Sequence, residues 1–469
     1  MRKPFLPLRR LSHGLMAGLW ALTAATPALP TTRLSPLQTM SPTTQPAWDC
    51  AKLAVSGNYS DESLFPLVRG RGDWMFRGKV DFKARSPVSG ALVANFVALK
   101  KQLAKSNTRL VLVLAPPRSV LMRDFIDPSA PEAKGYSPDV ALASYQTSLQ
   151  RLRDAGLIVP DVMATMKDPG VYLDGESKDF YLPADIHWAP FGAFVTAVAV
   201  QRDMMRQPAY SVVSRTDFKT TRNAAGTPQL DSFRQEASRI CKVAYKPILH
   251  RNFVTSALSE DSGGLLSDKS VDIALVGTSF STVLIGNFSG FLEQALHADV
   301  ANYAIGGGGF SSAILSWMLS GDYAQAKPKY LIWEMQYHNL EEVDKFPMIL
   351  GAADGDCGNA ALLKGQPAAI KLGQTTVMTV AKADATRIGG NVNVVVDLTS
   401  PDPRLYHLSL TYADGKVDRF DVDASRWSHP ANKMIIRLPR DGADLSSVSL
   451  VPQQRLSGTA SAHVCRASV

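Results

Sequence analysis

Short apolar runs alternate with longer amphipathic stretches between residues 50 and 350 of this chain. The apolar runs are continuous, as expected of strands buried on both faces. They lie at residues 110–115, 273–276 and 330–333. Apolar residues at helical spacing predict helices at 92–103 and 140–155. Because alternating strands and helices are typical of a parallel sheet covered by helices, we predict a three-layer α/β/α domain over residues 50–350.

The pattern changes near residue 351, after which the apolar segments become short and rich in β-branched residues. Turn pairs such as Asp414-Gly415 and Asp441-Gly442 separate them. The predicted strands are residues 375–380, 392–398, 405–412, 433–438 and 447–451. Short strands with frequent turns are typical of a β-sandwich, which we predict over residues 355–469. The polar stretch at 205–265 is predicted to be an irregular insertion in the α/β domain.

A serine follows the strand predicted at 273–276. Gly277 ends the apolar run, and Ser279 comes two residues later. Open α/β sheets place their ligand sites at the carboxyl ends of strands. A helix is predicted to follow through Phe288 and Leu296, and a helix start supplies amide groups and a positive dipole end. Ser279 is therefore a candidate nucleophile, with a simple helix N-cap as the alternative.

Asp185 and His187 precede this serine in the chain and are two residues apart. A serine hydroxyl becomes nucleophilic when a base removes its proton. The base in turn needs a carboxylate that fixes its tautomer and stabilises its charged form. A histidine beside a Pro-rich turn also has a purely structural interpretation. The combination of Ser279, His187 and Asp185 nevertheless favours acyl transfer through a serine ester.

Four consecutive glycines occupy residues 306–309. Contiguous glycines cost backbone entropy, and they are useful where backbone amides must approach a ligand closely. An oxyanion hole is such a site, and the amides of Ser279, Gly307 and Gly308 are its candidate donors. A flexible turn is the alternative. The segment lacks the Gly-x-Gly-x-x-Gly spacing of dinucleotide sites, and we expect no cofactor.

The N-terminus has the pattern of a secretory signal peptide. Four Lys and Arg residues lie within the first ten positions, and a short apolar run ends in small residues. We predict a cleaved signal peptide over residues 1–28, since the apolar run is short for an uncleaved membrane anchor. Residues 29–49 are rich in Pro, Thr and Ser, which predicts a flexible segment. The expected location is the periplasm.

The chain contains four cysteines: Cys50, Cys241, Cys357 and Cys465. An exported protein can form disulfides, and four cysteines allow three pairings. Cys357 and Cys465 bracket the C-terminal region, which favours a disulfide between them and leaves Cys50 with Cys241. The spacings are not those of zinc or redox motifs, and no metal is expected.

The net charge of the chain is +8. Residues 357–469 contain thirteen Lys and Arg against nine Asp and Glu, an excess of 13 − 9 = +4. A basic module suits an anionic polysaccharide, and arginine binds carboxylates in bidentate geometry. Arg387, Lys416 and Arg419 are candidate polymer-binding residues, with an ordinary solvated surface as the alternative. Nucleic acid is not an expected partner, because basic and aromatic residues are not interleaved.

Several segments resemble the alginate O-acetyltransferase family of AlgX and AlgJ, whose catalytic domain is SGNH-hydrolase-like. The resemblance is closer to the AlgX members and spans most of the chain after the leader. Further matching segments are residues 73–77, the strand at 110–114 leading to Pro117 and Arg118, and residues 331–334 with His338. The Asp-x-His segment also precedes the serine, as it does in this family. The resemblance implies an SGNH-hydrolase-like domain followed by a carbohydrate-binding module.

The resemblance further implies that Ser279 is the nucleophile, His187 the base and Asp185 its orienting residue. The implied substrate is an exopolysaccharide, above all alginate. The implied partners are a membrane-bound acetyl donor system and proteins of an export complex. Arg118 and His338 lie in matching segments and are candidate substrate-binding residues.

The resemblance implies the same cysteine pairing as the spacing does. This chain departs from the AlgX-like pattern at two places that bear on which polymer it binds. Residues 282–287 lack the tyrosine that follows the serine in AlgX-like proteins, and Thr411 stands where a tryptophan is expected.

The same residues are compatible with three activities. The first is an O-acetyltransferase. The second is a polysaccharide deacetylase or esterase, in which water accepts the acetyl group from the same acyl-enzyme. The third is a non-catalytic polysaccharide-binding scaffold of an export complex, for which Ser279→Ala leaves function intact.

Overall fold

A computed structural model describes residues 50–223, 226–229, 231–258, 271–325 and 327–467 of the chain. The predicted signal peptide at 1–28 and the predicted flexible segment at 29–49 lie outside these residues. Within the described ranges, every helix is too short or too polar to cross a membrane.

Strands and helices alternate in residues 50–354. The strands are β1 (Leu67–Arg69), β2 (Met75–Arg77), β3 (Arg109–Ala115), β4 (Phe218–Arg222), β5 (Thr227–Gln229), β6 (Ile248–His250), β7 (Phe253–Ala257), β8 (Ile273–Val276), β9 (Val300–Asn302) and β10 (Tyr330–Gln336). The α-helices are α1 (Gly78–Asp81), α2 (Gly90–Ala104), α3 (Arg118–Leu121), α4 (Pro138–Asp154), α5 (Val162–Met166), α6 (Pro190–Met205), α7 (Ser232–Cys241), α8 (Phe288–Leu296), α9 (Ser312–Leu319), α10 (Gly321–Gln325) and α11 (Phe346–Asp354). The central sheet is parallel, in the order β3-β10-β8-β9.

The central sheet is buried on both faces. Alternate residues of a strand point to opposite faces, and in β3 both sets are apolar. Leu110 and Leu112 pack in a cluster with helices α2, α4 and α11, whereas Val111 and Val113 pack in a second cluster with α6 and α8. The predicted α/β domain is therefore confirmed, and the carboxyl ends of β3, β8 and β10 lie at one edge of the sheet.

The helices that cover the sheet begin at capping residues. Ser89 Oγ accepts a hydrogen bond from the amide of Leu92 at the start of α2 (3.2 Å). Ser137 Oγ accepts one from the amide of Val140 at the start of α4 (3.3 Å). Caps of this kind contribute about 1 kcal/mol each. Pro190 lies in the first turn of α6, where no amide donor is required.

The C-terminal β region, residues 355–467, consists of two antiparallel sheets. Its strands are β11 (Leu363–Lys364), β12 (Ala368–Ala369), β13 (Thr375–Thr379), β14 (Val392–Leu398), β15 (Leu405–Tyr412), β16 (Val417–Asp423), β17 (Lys433–Arg437), β18 (Leu445–Pro452) and β19 (Thr459–Arg466), and its helix is α12 (Lys382–Ala385). One sheet has the order β11-β19-β14-β17, with β12 also on β19, and the other has the order β13-β18-β15-β16. All five strands predicted here are present, with ends within two residues of the predictions.

The C-terminal β region shares its hydrophobic core with the α/β region. Apolar residues of β14, β15, β18 and β19 belong to the same cluster as those of α2 and α11. Helix α11 packs directly on β17, because Gly351 has no side chain: a Cβ there would lie 2.4 Å from the carbonyl oxygen of Ile435. The composition change near residue 351 thus coincides with a packed contact between the two regions.

Two disulfides join distant parts of the chain. Cys50 is bonded to Cys241 and Cys357 to Cys465, which is the expected pairing. Cys241 ends α7, a helix within the stretch that was predicted to be irregular. That interpretation was wrong for α7 and for the paired strands β4 and β7. The helix forms because Phe233 and Ile240 lie on one face, which is buried.

Candidate active site

The turn after β8 presents Ser279 at the carboxyl end of the sheet. Ser279 opens a single 3₁₀ turn, Ser279–Ser281. Thr278 caps this turn, since its Oγ1 accepts a hydrogen bond from the amide of Phe280 (3.3 Å). Helix α8 begins only at Phe288, so the expectation of a helix start at Ser279 was wrong, as was its N-cap alternative.

The structure brings Ser279, His187 and Asp185 into one hydrogen-bonded line. His187 Nε2 lies 2.8 Å from Ser279 Oγ, and His187 Nδ1 lies 2.6 Å from Asp185 Oδ1. The same carboxylate oxygen accepts the backbone amide of His187 (2.9 Å). Asp185 Oδ2 accepts the amide of Ser232 at the start of α7 (2.8 Å). The orientation suits proton transfer from the serine to the imidazole.

Asp185 is buried, and its surroundings keep it ionised. Burial alone would raise the pKa of this carboxyl. The hydrogen bond and charge of His187 and the amides of Ser232 and His187 outweigh burial, and the pKa of Asp185 falls well below its ordinary value. The carboxylate therefore stays available to stabilise a charged imidazole.

Arg118 braces the loop that carries Asp185 and His187. Its Nη2 donates to the carbonyl oxygens of Leu182 (2.8 Å) and Pro183 (2.7 Å), and the same group also donates to Met75 O (3.1 Å). The residue is only 3% exposed. Arg118 also lines the cleft that contains His338, and its Nη1 is buried without a hydrogen-bond partner among the described residues. Substrate binding by Arg118 stays a prediction.

His338 lies in a cleft at the carboxyl ends of β3 and β10. Cationic side chains also line this cleft, among them Arg77, Lys83 and Arg85. Burial, with the charges of Arg77 and Arg85, lowers the pKa of His338 to about 3. A neutral imidazole faces this cleft, and substrate binding by His338 stays a prediction.

Sequence reasoning missed Glu334, a fully buried acid on β10. Its Oε2 accepts hydrogen bonds from the amide of Thr278 (2.8 Å) and from Ser281 Oγ (3.0 Å). Gly277 makes room for it, because a Cβ there would lie 2.6 Å from Oε2. Burial raises the pKa of Glu334 to about 7. The carboxyl thus holds Thr278 and Ser281, one on each side of Ser279 in the turn. The available signal in the sequence was one acid within an apolar strand.

The glycine segment runs beside the candidate nucleophile. A Cβ added at Gly306 would lie 3.8 Å from Ser279 Cβ. Gly307 has a φ of +71°, a conformation that glycine adopts without strain. Gly308 is not a suitable oxyanion donor, contrary to expectation, because its amide donates to the carbonyl oxygen of Ile305 (3.2 Å).

The three basic residues predicted to bind polymer lie on separate elements of the C-terminal β region. Arg387 follows α12, pairs with Asp384 (3.3 Å) and donates to a backbone carbonyl. Lys416 lies in the β15–β16 turn and pairs with Asp414 (3.4 Å). Arg419 is exposed on β16. Polymer binding by these residues stays a prediction.

The comparison with known families is decisive for the α/β region. Residues 67–337 match the family described as SGNH hydrolase-like domain, acetyltransferase AlgX. The chain belongs to this family. The resemblance drawn from the sequence is thereby confirmed, together with the SGNH-hydrolase-like class of the α/β region.

The AlgX relative matches nearly the whole chain, and the AlgJ relative matches somewhat more than half of it. The alginate biosynthesis protein AlgX of Pseudomonas aeruginosa is 27% identical over 475 residues, which cover 98% of this chain and 96% of that protein. The probable alginate O-acetylase AlgJ of Pseudomonas putida is 26% identical over 282 residues, or 57% of this chain and 68% of that protein. The solved structure of P. aeruginosa AlgX shares the fold, with a TM-score of 0.74 and 23% identity over 89% of this chain and 99% of that one.

Proposed function

We propose that this protein is a periplasmic O-acetyltransferase that transfers acetyl through Ser279 to hydroxyls of an exopolysaccharide, with the mannuronate units of alginate as the substrate. The observation that carries the proposal is the line of hydrogen bonds from Ser279 Oγ through His187 to Asp185. Membership in an acetyltransferase family supports acetyl as the group transferred. The AlgX relative is named as an alginate biosynthesis protein and the AlgJ relative as a probable alginate O-acetylase. Both names support alginate as the acceptor.

In the first half-reaction, Ser279 Oγ attacks the carbonyl carbon of an acetyl ester while His187 Nε2 takes the hydroxyl proton. Asp185 stabilises the imidazolium that forms. The amides of Ser279 and of the adjacent glycine segment stabilise the oxyanion, with Gly306 and Gly307 as donors in place of Gly308. The C–O bond to the donor then breaks, His187 returns the proton to the leaving oxygen, and acetyl-Ser279 remains.

In the second half-reaction, a sugar hydroxyl attacks the carbonyl carbon of acetyl-Ser279 as His187 Nε2 accepts its proton. The bond to Ser279 Oγ breaks, and the serine recovers the proton from His187. The two half-reactions together transfer the acetyl group from donor to sugar, with His187 carrying the proton in each. Water in place of the sugar would give hydrolysis, so the acceptor decides between transferase and esterase.

The remaining parts of the chain fit an exported, polymer-binding enzyme. In this proposal residues 50–350 are the catalytic domain, and residues 355–469 form a β-sandwich carbohydrate-binding module with excess positive charge. The two disulfides suit an oxidising compartment such as the periplasm. A membrane-bound acetyl donor system and export-complex proteins are the proposed partners.

The test supplies acetyl-nitrophenol as donor and mannuronate oligomers as acceptors, with wild type beside Ser279→Ala. We expect acetylated oligomers with the wild type and none with the variant. Free acetate without acetylated oligomer in the wild type would support an esterase instead. Equal, negligible activity of the two folded proteins would support a binding scaffold.

A further inference from the structure

One segment of the C-terminal β region reaches the candidate active site. This segment, residues 424–431, connects β16 to β17 and is fixed to helix α9. Trp427 Nε1 donates to Ser312 Oγ (2.7 Å), and His429 Nε2 lies 2.9 Å from the carbonyl oxygen of Ser316. Trp427 is buried in the shared core. These contacts hold the segment in place independently of its remaining exposed side chains.

Arg426, next to the anchored Trp427, lies against the glycine segment. Its Nη1 is 3.5 Å from the carbonyl oxygen of Gly306. A Cβ added at Gly307 would lie 2.9 Å from the guanidinium carbon. Gly306 also packs beside Ser279. Gly306 therefore lies between the guanidinium of Arg426 and the candidate nucleophile. Any side chain at Gly307 would displace Arg426, which adds a second reason for glycine there.

Among the described residues, no carboxylate lies within ion-pair distance of Arg426. Four arginines of the same region are paired, namely Arg387, Arg404, Arg437 and Arg440, whereas Arg419, Arg455 and Arg466 are, like Arg426, without an ion pair among the described residues; of these four, Arg426 is the one that lies against the glycine segment. A guanidinium has five N–H donors, and this one makes a single long contact to protein. The side chain is exposed, so the remaining donors are available to a ligand.

We propose that Arg426 binds the carboxylate of a uronate unit at the acetylation site and thereby selects acidic sugars as acceptors. The proposal rests on the proposed transferase function and adds a specificity-determining residue to it. A planar guanidinium matches a carboxylate in bidentate geometry, which a hydroxymethyl group of a neutral sugar cannot reproduce. Arg426 belongs to the C-terminal β region, so this region contributes to the selection of the acceptor beside Ser279.

The experiment compares two acceptors, mannuronate oligomers and the same oligomers with their carboxyl groups reduced to alcohols. The measured quantity is the ratio of kcat/KM for acetyl transfer to the two acceptors, in which any change in the rate of serine acetylation common to both acceptors cancels. The variants are Arg426→Gln, Arg426→Lys and Arg455→Gln. The last removes the same charge from an exposed position in the loop between β18 and β19 and is the matched control.

We expect the wild type to prefer the acidic oligomer and Arg426→Gln to reduce that preference about tenfold, the size of a charged hydrogen-bonded contact. Arg426→Lys keeps the charge but not the bidentate geometry of a guanidinium. Its preference should lie between those of the wild type and Arg426→Gln. Arg455→Gln should retain the wild-type ratio. A ratio unchanged in Arg426→Gln, or lowered equally in Arg455→Gln, overturns the proposal. Failure of the wild type to acetylate either oligomer would instead contradict the proposed function.

Discussion

The buried carboxyl of Glu334 offers the sharpest test of how the nucleophile turn is held. Replacing Glu334 with Ala removes the acceptor for the Thr278 amide and for Ser281 Oγ. A buried donor left unpaired costs about 1–3 kcal/mol, so two cost about 2–6 kcal/mol. We expect a loss of about 3 kcal/mol, because water can enter the vacated space and replace some contacts.

The same substitution should slow the chemistry. Thr278 and Ser281 lie on either side of Ser279, and a reacting group displaced by 1 Å can lose about 10²-fold in rate. We therefore expect Glu334→Ala to acetylate its serine about 10²-fold more slowly than the wild type. Glu334→Gln, which keeps one carbonyl acceptor, should lose less in both stability and rate.

The pH dependence of stability gives an independent signature. Burial raises the pKa of Glu334 from 4.5 to about 7, so the folded state holds this proton more tightly than the unfolded state does. The contribution of Glu334 protonation to the free energy of unfolding is fully present below pH 4.5. It decreases as pH rises from 4.5 through about 7, and it is absent above that range. A difference of 2.5 pH units corresponds to about 3 kcal/mol.

The assay is urea denaturation at pH 5 and pH 8, with wild type, Glu334→Gln and the exposed control Glu62→Gln. Relative to Glu334→Gln, the wild type should lose stability between the two pH values, whereas Glu62→Gln should follow the wild type. Serine acetylation of Glu334→Ala is measured in parallel. The reasoning is refuted by a wild-type-like stability and rate in Glu334→Ala, or by a stability difference that does not change with pH.

Two further predictions concern the triad and the disulfides. Asp185→Asn keeps the shape of the side chain but removes the charge that stabilises the imidazolium. The rate of serine acetylation in a stopped-flow ester assay should therefore fall about 10³- to 10⁴-fold. A loss below tenfold would contradict the role given to Asp185. Replacing Cys50 and Cys241 together with Ala opens a loop with a sequence separation of 191 and should cost about 5 kcal/mol by the chain-entropy model; unchanged urea denaturation would contradict it.

The sequence predicted the regular strands well and the connecting geometry poorly. Strands β8, β14 and β15 have continuous or cleanly alternating apolar residues, and their ends were predicted correctly. Strand β16 was missed because charged residues occupy most of its positions and only Phe420 and Val422 are buried. The periodicity of α8 indicated a helix but not its start, which is set by Asn287 in a left-handed conformation.

The residues of the candidate site also fall into those that the sequence predicted and those that it did not. Ser279, His187 and Asp185 were found because acyl transfer requires those residue types together. Glu334 and Arg426 were not, because their roles depend on contacts across 56 and 120 residues of chain. Arg118 was a candidate for substrate binding through the family resemblance, and the sequence did not indicate that its Nη2 also holds the backbone carbonyls of Leu182 and Pro183.

Intact-mass analysis of the protein after mixing with acetyl-nitrophenol tests the central claim, that Ser279 carries the acetyl group, most directly. The account predicts a wild-type mass gain of one acetyl group, mapped to the peptide containing Ser279, and no gain for a folded Ser279→Ala protein. An equal gain in Ser279→Ala, or no gain in a folded wild type that still releases nitrophenol, would contradict it.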